Sequence, residues 1–319
     1  MKPPYQITTR ILEQIASIAE KIGEINAAYL YKPPAELRKK NRIRTIQSSL
    51  EIEGNSLSLD QVTAILDNKK VIAPEKDILE VRNAIKTYES IDSYNYKSLN
   101  SFCKAHAALM NGLIENAGKI RTSSVGILKG SEVTHIAPPG EIVKSLVREL
   151  FGYLKKDRDL LLIKSCVFHY EIEFIHPFMD GNGRIGRFWQ TLILKQYSPV
   201  FEFLPVESLI KAKQNDYYRV LGESDNKGDS TGFIEFMLQI INQSLEELLT
   251  NQNVHLTSND RLVIFKEKTG KSGFTRKDYL RHFKDISTAT ASRDLKLAVE
   301  SGLLNKSGDK RTTTYKFKK

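Results

Sequence analysis

Along the first 250 positions, apolar residues recur at spacings of three and four. Ile11, Ile15, Ile18, Ile22 and Ile25 form the stripe that one face of a helix presents to a core. A second helix carries Ile43, Ile46 and Leu50 on its apolar face and stops at Gly54 and Asn55. Ser58 opens "SLDQ", a capping box with Gln61, and after Pro74 the residues Ile78, Val81, Ile85 and Tyr88 share a face. Comparable stripes predict helices over 99–114, 141–156, 159–174, 184–197, 207–222 and 230–249. The rhythm breaks at "SSVGILKGSEVTHIAPPG", residues 123–140, where two β-prone runs flank Lys-Gly-Ser and two prolines forbid helix; a β-hairpin is predicted. The polar, aperiodic "TNQNVHLTSND" (250–260) predicts a linker. Beyond it the pattern predicts a helix, a turn around Asp285 to Thr288, a second helix with Leu295, Ala298 and Val299 inward, and a basic hairpin in "NKSGDKRTTTYKF".

Composition adds little until charge is located. With 319 residues, 40% hydrophobic and 27% charged, the chain suits one large domain or two unequal ones. It shows no apolar run of the length a membrane span needs and no signal-peptide pattern, so a cytoplasmic setting without a membrane partner is expected. Cys103 and Cys166 sit inside apolar helical patterns, which predicts buried thiols rather than a disulfide or a zinc site. Between 256 and 319 lie 16 Lys and Arg against 7 Asp and Glu, a net +9 of the chain's +10. A basic C-terminal module thus follows a nearly neutral body.

The densest chemistry lies in "HPFMDGNGRIGR", residues 176–187. Gly181, Gly183 and Gly186 spell G-x-G-x-x-G, but the preceding Ile163, Val167, Tyr170 and Phe174 have helical spacing, whereas a dinucleotide fingerprint must follow a strand. A loop between two helices is the better reading. Gly181, Asn182 and Gly183 let backbone N–H groups turn toward one point at a helix N-terminus, which welcomes an anion. Arg184 and Arg187, three apart, can hold the same polyphosphate. Asp180 would be repelled by that anion unless a divalent cation such as Mg2+ bridged them. His176 is the group suited to accept a proton near pH 7, whereas His169, upstream on the helix, reads as a hydrogen-bonded core histidine.

A second stretch, "SSLEIEGN" (48–55), closes the helix that begins near Ile43. Ser49 and Glu53 flank its apolar face, so both are expected to look toward protein. A glutamate in the last turn opposes the helix dipole at a cost of about 0.3–1 kcal/mol, so a nearby cation is expected.

These residues resemble the Fic family, whose signature H-P-F-x-D-G-N-G-R-x-x-R is matched at every fixed position. The resemblance implies an enzyme that moves AMP from ATP to a protein hydroxyl. His176 would be the base, Asp180 the magnesium ligand, and Gly181 to Gly183 the anion hole. Gly186 falls among the same nucleotide-binding positions, Arg184 and Arg187 would hold the β- and γ-phosphates, and Phe178 would anchor the loop. The hairpin 123–140 resembles the family's flap, which seats the target segment by main-chain pairing, with Thr134 and His135 at its active edge. "NDYYRVL" (215–221) resembles the region that closes over adenine, making Tyr217 and Tyr218 candidates for stacking, with core packing of one of them equally open. Ser49, Glu53 and Gly54 match the family's inhibitory motif, in which the glutamate pairs with the second signature arginine, here Arg187. Glycine at 183, where phosphate-transferring relatives carry lysine, favours AMP transfer.

The tail resembles a winged helix-turn-helix, with Thr290, Ser292, Arg293 and Lys296 outward toward duplex DNA; such modules also serve as protein-docking or dimer elements. The expectation is a mainly α protein. An N-terminal helical region (1–95) holds the inhibitory helix at about 43–54. A Fic-type core (96–250) with a hairpin, a linker (251–260) and a small α+β winged-helix domain (261–319) follow. Its partners would be ATP, a hydroxyl-bearing protein including itself, DNA through 261–319, and a second copy of the chain. The rival reading is a DNA-binding regulator that uses the Fic fold as a nucleotide sensor.

Overall fold

The structure, a computed structural model, describes residues 3–27, 34–124, 126–129, 132–250, 257–270, 272–283, 286–309 and 312–318. The chain divides into two compact units, Met1–Tyr31 with Leu37–Thr250, and Lys32–Glu36 with Asn251–Lys319.

The larger unit is mainly helical. It contains α1 (Thr9–Ala27), α2 (Ala35–Ile52), α3 (Leu59–Leu66), α4 (Glu75–Glu89), α5 (Leu99–Leu109), the antiparallel pair β1 (Gly126–Lys129) and β2 (Glu132–Ile136), then α6 (Gly140–Lys156), α7 (Leu161–Ile175), α8 (Asn182–Tyr197), α9 (Val206–Ala212), α10 (Gln214–Lys227) and α11 (Thr231–Thr250). The isoleucine stripe does what its spacing implies: Ile11, Ile18 and Ile25 are fully buried where α1 packs along α11. Ser58 and Gln61 form the expected capping box at the start of α3. The stripe over 207–222 is two helices, because Lys213 leaves helical geometry between α9 and α10.

At the centre, α7 and α8 pack against each other, and every residue from Asn182 to Leu194 is buried. Phe102, Phe151, Phe168, Phe178 and Trp189 surround this pair with ring centroids 5.1–6.3 Å apart. Burial of each such ring contributes about 1.5–3 kcal/mol, so the loop joining α7 to α8 is anchored on a densely packed aromatic cluster. Cys166 is buried and Cys103 half-buried, both as free thiols.

The smaller unit has α12 (Ser258–Thr269), α13 (Arg276–His282), α14 (Thr288–Glu300) and the hairpin β3 (Leu304–Ser307) with β4 (Thr314–Phe317). The first of these helices starts inside the stretch that reads as aperiodic, because Thr257 and Asp260 form a capping box. Its core joins Phe265, Phe274, Tyr279, Leu295 and Phe317 around a buried ion pair, Arg261 with Asp294 at 2.7 Å. On α14, Arg293 and Lys296 are exposed, while Thr290 and Ser292 are half-buried, Ser292 bonded to the Thr288 carbonyl. Val299, expected inward, is also half-buried. No helix among the described residues is long and apolar enough to cross a membrane.

Candidate functional site

The loop after α7 is built by polar bonds its own sequence supplies. His176 ends the helix in left-handed geometry (φ 50, ψ 61), a conformation that costs a non-glycine residue about 1–3 kcal/mol and must be held by its surroundings. Phe178 is fully buried, stacked on the His106 ring with centroids 3.6 Å apart. Asn182 staples the loop: its side chain accepts from the Phe178 N–H at 2.8 Å and donates to the Phe178 carbonyl at 2.9 Å. Gly181 opens α8 at φ 83, where a Cβ would lie 2.6 Å from the Met110 sulfur. On the far side, His106 accepts the Gly118 N–H at Nδ1, so Nε2 carries the proton and donates to the Asp180 carbonyl at 2.8 Å. Burial pushes its pKa down to about 4, keeping it neutral in that role.

Around the cavity the charged groups meet as follows. The Nδ1 of His176 lies 3.4 Å from the Glu173 carbonyl, which can only accept; this favours the tautomer with Nε2 as the basic nitrogen. Arg187, 2% exposed, donates from Nε to the Ser49 hydroxyl (3.0 Å) and from Nη2 to the Ser49 carbonyl (3.0 Å) and the Glu53 carboxylate (2.7 Å). Burial lowers its pKa, but Glu53, Tyr217 and Glu173 outweigh this, so it remains charged.

Glu53 is placed by a Schellman turn. Gly54 (φ 92) donates to Glu51 and Asn55 to Leu50, which leaves Glu53 as the last residue of the helix end with its side chain thrown forward. It is therefore partly exposed rather than facing only protein. Its carboxylate covers the bare face of Gly183, where an added Cβ would lie 2.3 Å from Oε1. A carboxylate thus occupies the N-terminus of α8 beside Arg187, the position an anionic ligand would take.

Arg184 behaves differently from Arg187. It is buried, donates to Glu80 and Asp180 at 2.9 Å each, and does not line the cavity. Glu80 in turn accepts from Asn55 at 2.8 Å, so the end of the Glu53 segment is tied to Arg184 through one carboxylate. Gly186 also faces away, packing on α7 where a Cβ would meet His169, Ile172 and Glu173 at 3.4–3.5 Å.

The cavity has a volume of about 790 Å³, within the range of small-molecule and cofactor sites, and runs from Glu53, His176, Asp180 and Gly183 to Phe174, Tyr218, Leu221 and Asp225. Tyr217 and Tyr218 both line the cavity: Tyr217 is buried with its hydroxyl 3.1 Å from His169 Nε2 and 3.3 Å from Glu173, and Tyr218 is half-exposed. His169 is fully buried, its Nδ1 2.8 Å from the Gln190 side-chain oxygen. Glu173 sits below the usual carboxylate range: burial pushes it up, but His169, Arg187 and His176 pull it further down. The His135 backbone pairs opposite Ile127, and Thr134 lies in the same strand; their side chains are outside the described residues. Glu80, His106 and Glu173 carry polar roles that helical spacing alone does not single out.

Behind Arg187 lies Glu207, 2% exposed, whose Oε2 has no hydrogen-bond partner among the described atoms. Burial raises its pKa to about 7, although Arg187 opposes this. A folded-state pKa above the ordinary value means the fold prefers the protonated acid. The stabilisation is complete below about pH 4.5 and is lost as pH rises through 7. Glu207→Gln keeps the shape and removes the titration. Its stability relative to wild type should therefore rise between pH 5 and pH 8 by on the order of 3 kcal/mol. Urea unfolding at both pH values checks this; an unchanged difference would refute it.

Comparison with known proteins gives a consistent picture. A family model described as Fic/DOC family matches residues 96–194. A protein adenylyltransferase Fic from Nematostella vectensis is 26% identical over 272 residues, covering 80% of this chain and 60% of that protein. Protein adenylyltransferase fic-1 from Caenorhabditis elegans is 28% identical over 233 residues, 68% of this chain and 42% of that protein. The chain thus spans about half the length of these relatives. A crystal structure of a Fic family protein from Desulfovibrio desulfuricans G20 is 38% identical, with a TM-score of 0.76, over 100% of this chain and 98% of that one.

Proposed function

Because the chain belongs to the Fic family, we propose that it is a protein adenylyltransferase, moving AMP from ATP to a Ser, Thr or Tyr hydroxyl of a protein, itself included, and held in check by Glu53. The observation that carries this reading is the Glu53 carboxylate, 2.7 Å from Arg187 and over the bare Gly183, in a cavity that also holds His176. ATP would place its β- and γ-phosphates on the α8 N-terminus and Arg187, in place of that carboxylate. His176 would take the proton of the target hydroxyl as its oxygen bonds the α-phosphorus, and the bond to the bridging oxygen would break, releasing pyrophosphate. Arg184, which donates to Glu80 and Asp180 at 2.9 Å each, would share the β- and γ-phosphates with Arg187.

Magnesium fits the donor set in a limited way. Among the described residues no cluster of three His, Cys, Asp or Glu could hold a metal. Asp180 has one oxygen bonded by Arg184 and the Gly181 N–H, and its side chain is half-exposed at the cavity. Mg2+ would take Asp180 and complete its shell with phosphate oxygens and water, neutralising the polyphosphate.

The test is the fate of label. In a Glu53→Gly background, label at the α-phosphorus of ATP is expected to stay on protein, with a mass increase that contains adenine. Retention of γ-label alone would show phosphate transfer and overturn the proposal.

A further inference from the structure

Arg121 lies outside the twelve-residue loop, between α5 and β1, and does not line the cavity, yet it is only 3% exposed. Its guanidinium bonds main-chain carbonyls on two separate segments. Nε donates to the His176 carbonyl at 2.6 Å and Nη2 to the Ile175 carbonyl at 3.0 Å. Nη1 donates to the Ser123 carbonyl at 2.6 Å and Nη2 to the Pro138 carbonyl at 2.8 Å. Its own main-chain N–H adds a bond to the Pro177 carbonyl at 2.9 Å.

The four acceptors divide in pairs. Ile175 and His176 form the end of α7, and Ser123 and Pro138 bracket the two strands of the hairpin. A guanidinium is a planar fork with fixed donor directions, so it satisfies all four carbonyls only when both segments stand in one relative position. Burying that charge on neutral carbonyls is costly, and an apolar side chain could fill the space; what only the fork supplies is this registration. His176 is also the residue in left-handed geometry that needs holding from outside.

We infer that Arg121 is a positioning residue: it locks the base of the β1–β2 hairpin to the backbone of His176, so that a target segment seated on the hairpin presents its hydroxyl at a set distance from the imidazole. The inference rests on reading His176 as the base and the hairpin as the target's seat. Arg121 touches neither substrate nor the reacting atoms. Its contribution is the distance between them, and a displacement near 1 Å costs such a reaction about 100-fold.

The experiment compares Arg121→Lys and Arg121→Ala with their parent, all in the Glu53→Gly background. Lysine keeps the charge but not the fork. Arg121→Lys is expected to lower kcat of transfer about 100-fold while leaving ATP affinity close to the parent's, with some loss of melting temperature from carbonyls left without a donor. NMR of protein labelled at the histidine rings is expected to show the His176 resonances displaced, with those of buried His169 unmoved. Full transfer with unmoved His176 signals in Arg121→Lys would overturn the inference, as would a loss of rate matched by an equal loss of ATP affinity. Should Arg121→Ala fail to fold, the lysine variant still decides. Should the parent transfer nothing, the adenylyltransferase reading fails, while the His176 signals still report whether Arg121 holds that residue.

Discussion

Replacing His176 with alanine is expected to slow transfer by about 10²–10⁴-fold while ATP binding survives. The two effects separate because the groups are separate. The proposed anion position would be made by the α8 N-terminus and Arg187, which bonds Ser49 and Glu53, and none of these bonds involves the imidazole. The imidazole's Nδ1 lies 3.4 Å from the Glu173 carbonyl, one turn back on α7. Neither the Asn182 staple nor the Phe178 stack depends on the imidazole, so the loop should persist without it. The left-handed backbone at 176 is no better tolerated by alanine, and a modest loss of melting temperature should accompany the change. Rates in the Glu53→Gly background, with calorimetric titration of ATP into the same variants, measure both quantities. Transfer retained within tenfold would remove His176 from its assigned role. ATP affinity lost in proportion to rate would show that the loop, rather than the base, had been damaged.

How much of this site the chain discloses depends on the kind of contact. Local contacts are legible: the capping box of Ser58 and Gln61, the prolines that end helices, and the glycine stop after Glu53 are each decided within a few residues. Periodicity also shows which face is buried, as the isoleucines of α1 demonstrate. It does not show what a buried polar group will meet. Glu80 follows the apolar face of α4 in sequence and finds Arg184 across 104 positions; His106 sits on an apolar helix face and finds Asp180 across 74. Arg121 is one basic residue among many in the sequence, and only the return of the hairpin beside the end of α7 gives it four carbonyls. Two tyrosines in succession on α10 both border the cavity, Tyr217 buried and Tyr218 half-exposed, and periodicity does not tell which is which. Gly186 lies against His169, Ile172 and Glu173 of α7, a neighbourhood its place in a motif does not disclose. Long-range polar pairing is set by packing, and packing is not written in any single window of sequence.

Replacing Glu53 with glycine is expected to raise self-modification by about 10- to 100-fold, the change that losing one charged hydrogen bond of about 1.5–3 kcal/mol would give if that bond must break before ATP can bind productively. The substitution removes the carboxylate from the face of Gly183 and leaves Arg187 bonded to Ser49. Position 53 directly follows Ile52, the last residue of α2, so glycine there should leave the helix in place. Arg187 then carries a buried charge with one fewer carboxylate, so the variant should be less stable than wild type without nucleotide and gain more melting temperature from ATP. Adding Arg187→Ala should abolish the gain in activity, because on the proposed reading the arginine that Glu53 occupies is the one ATP would need. That second step separates release of a blocked site from a general loosening of the fold, since loosening would not require the arginine. The measurement is the rate of AMP incorporation with magnesium and ATP for wild type, the single variant and the double variant. A Glu53→Gly protein no faster than wild type would show that the ion pair at 2.7 Å is structural and that what limits activity lies elsewhere. A double variant as fast as the single one would show that Arg187 does not hold the phosphates.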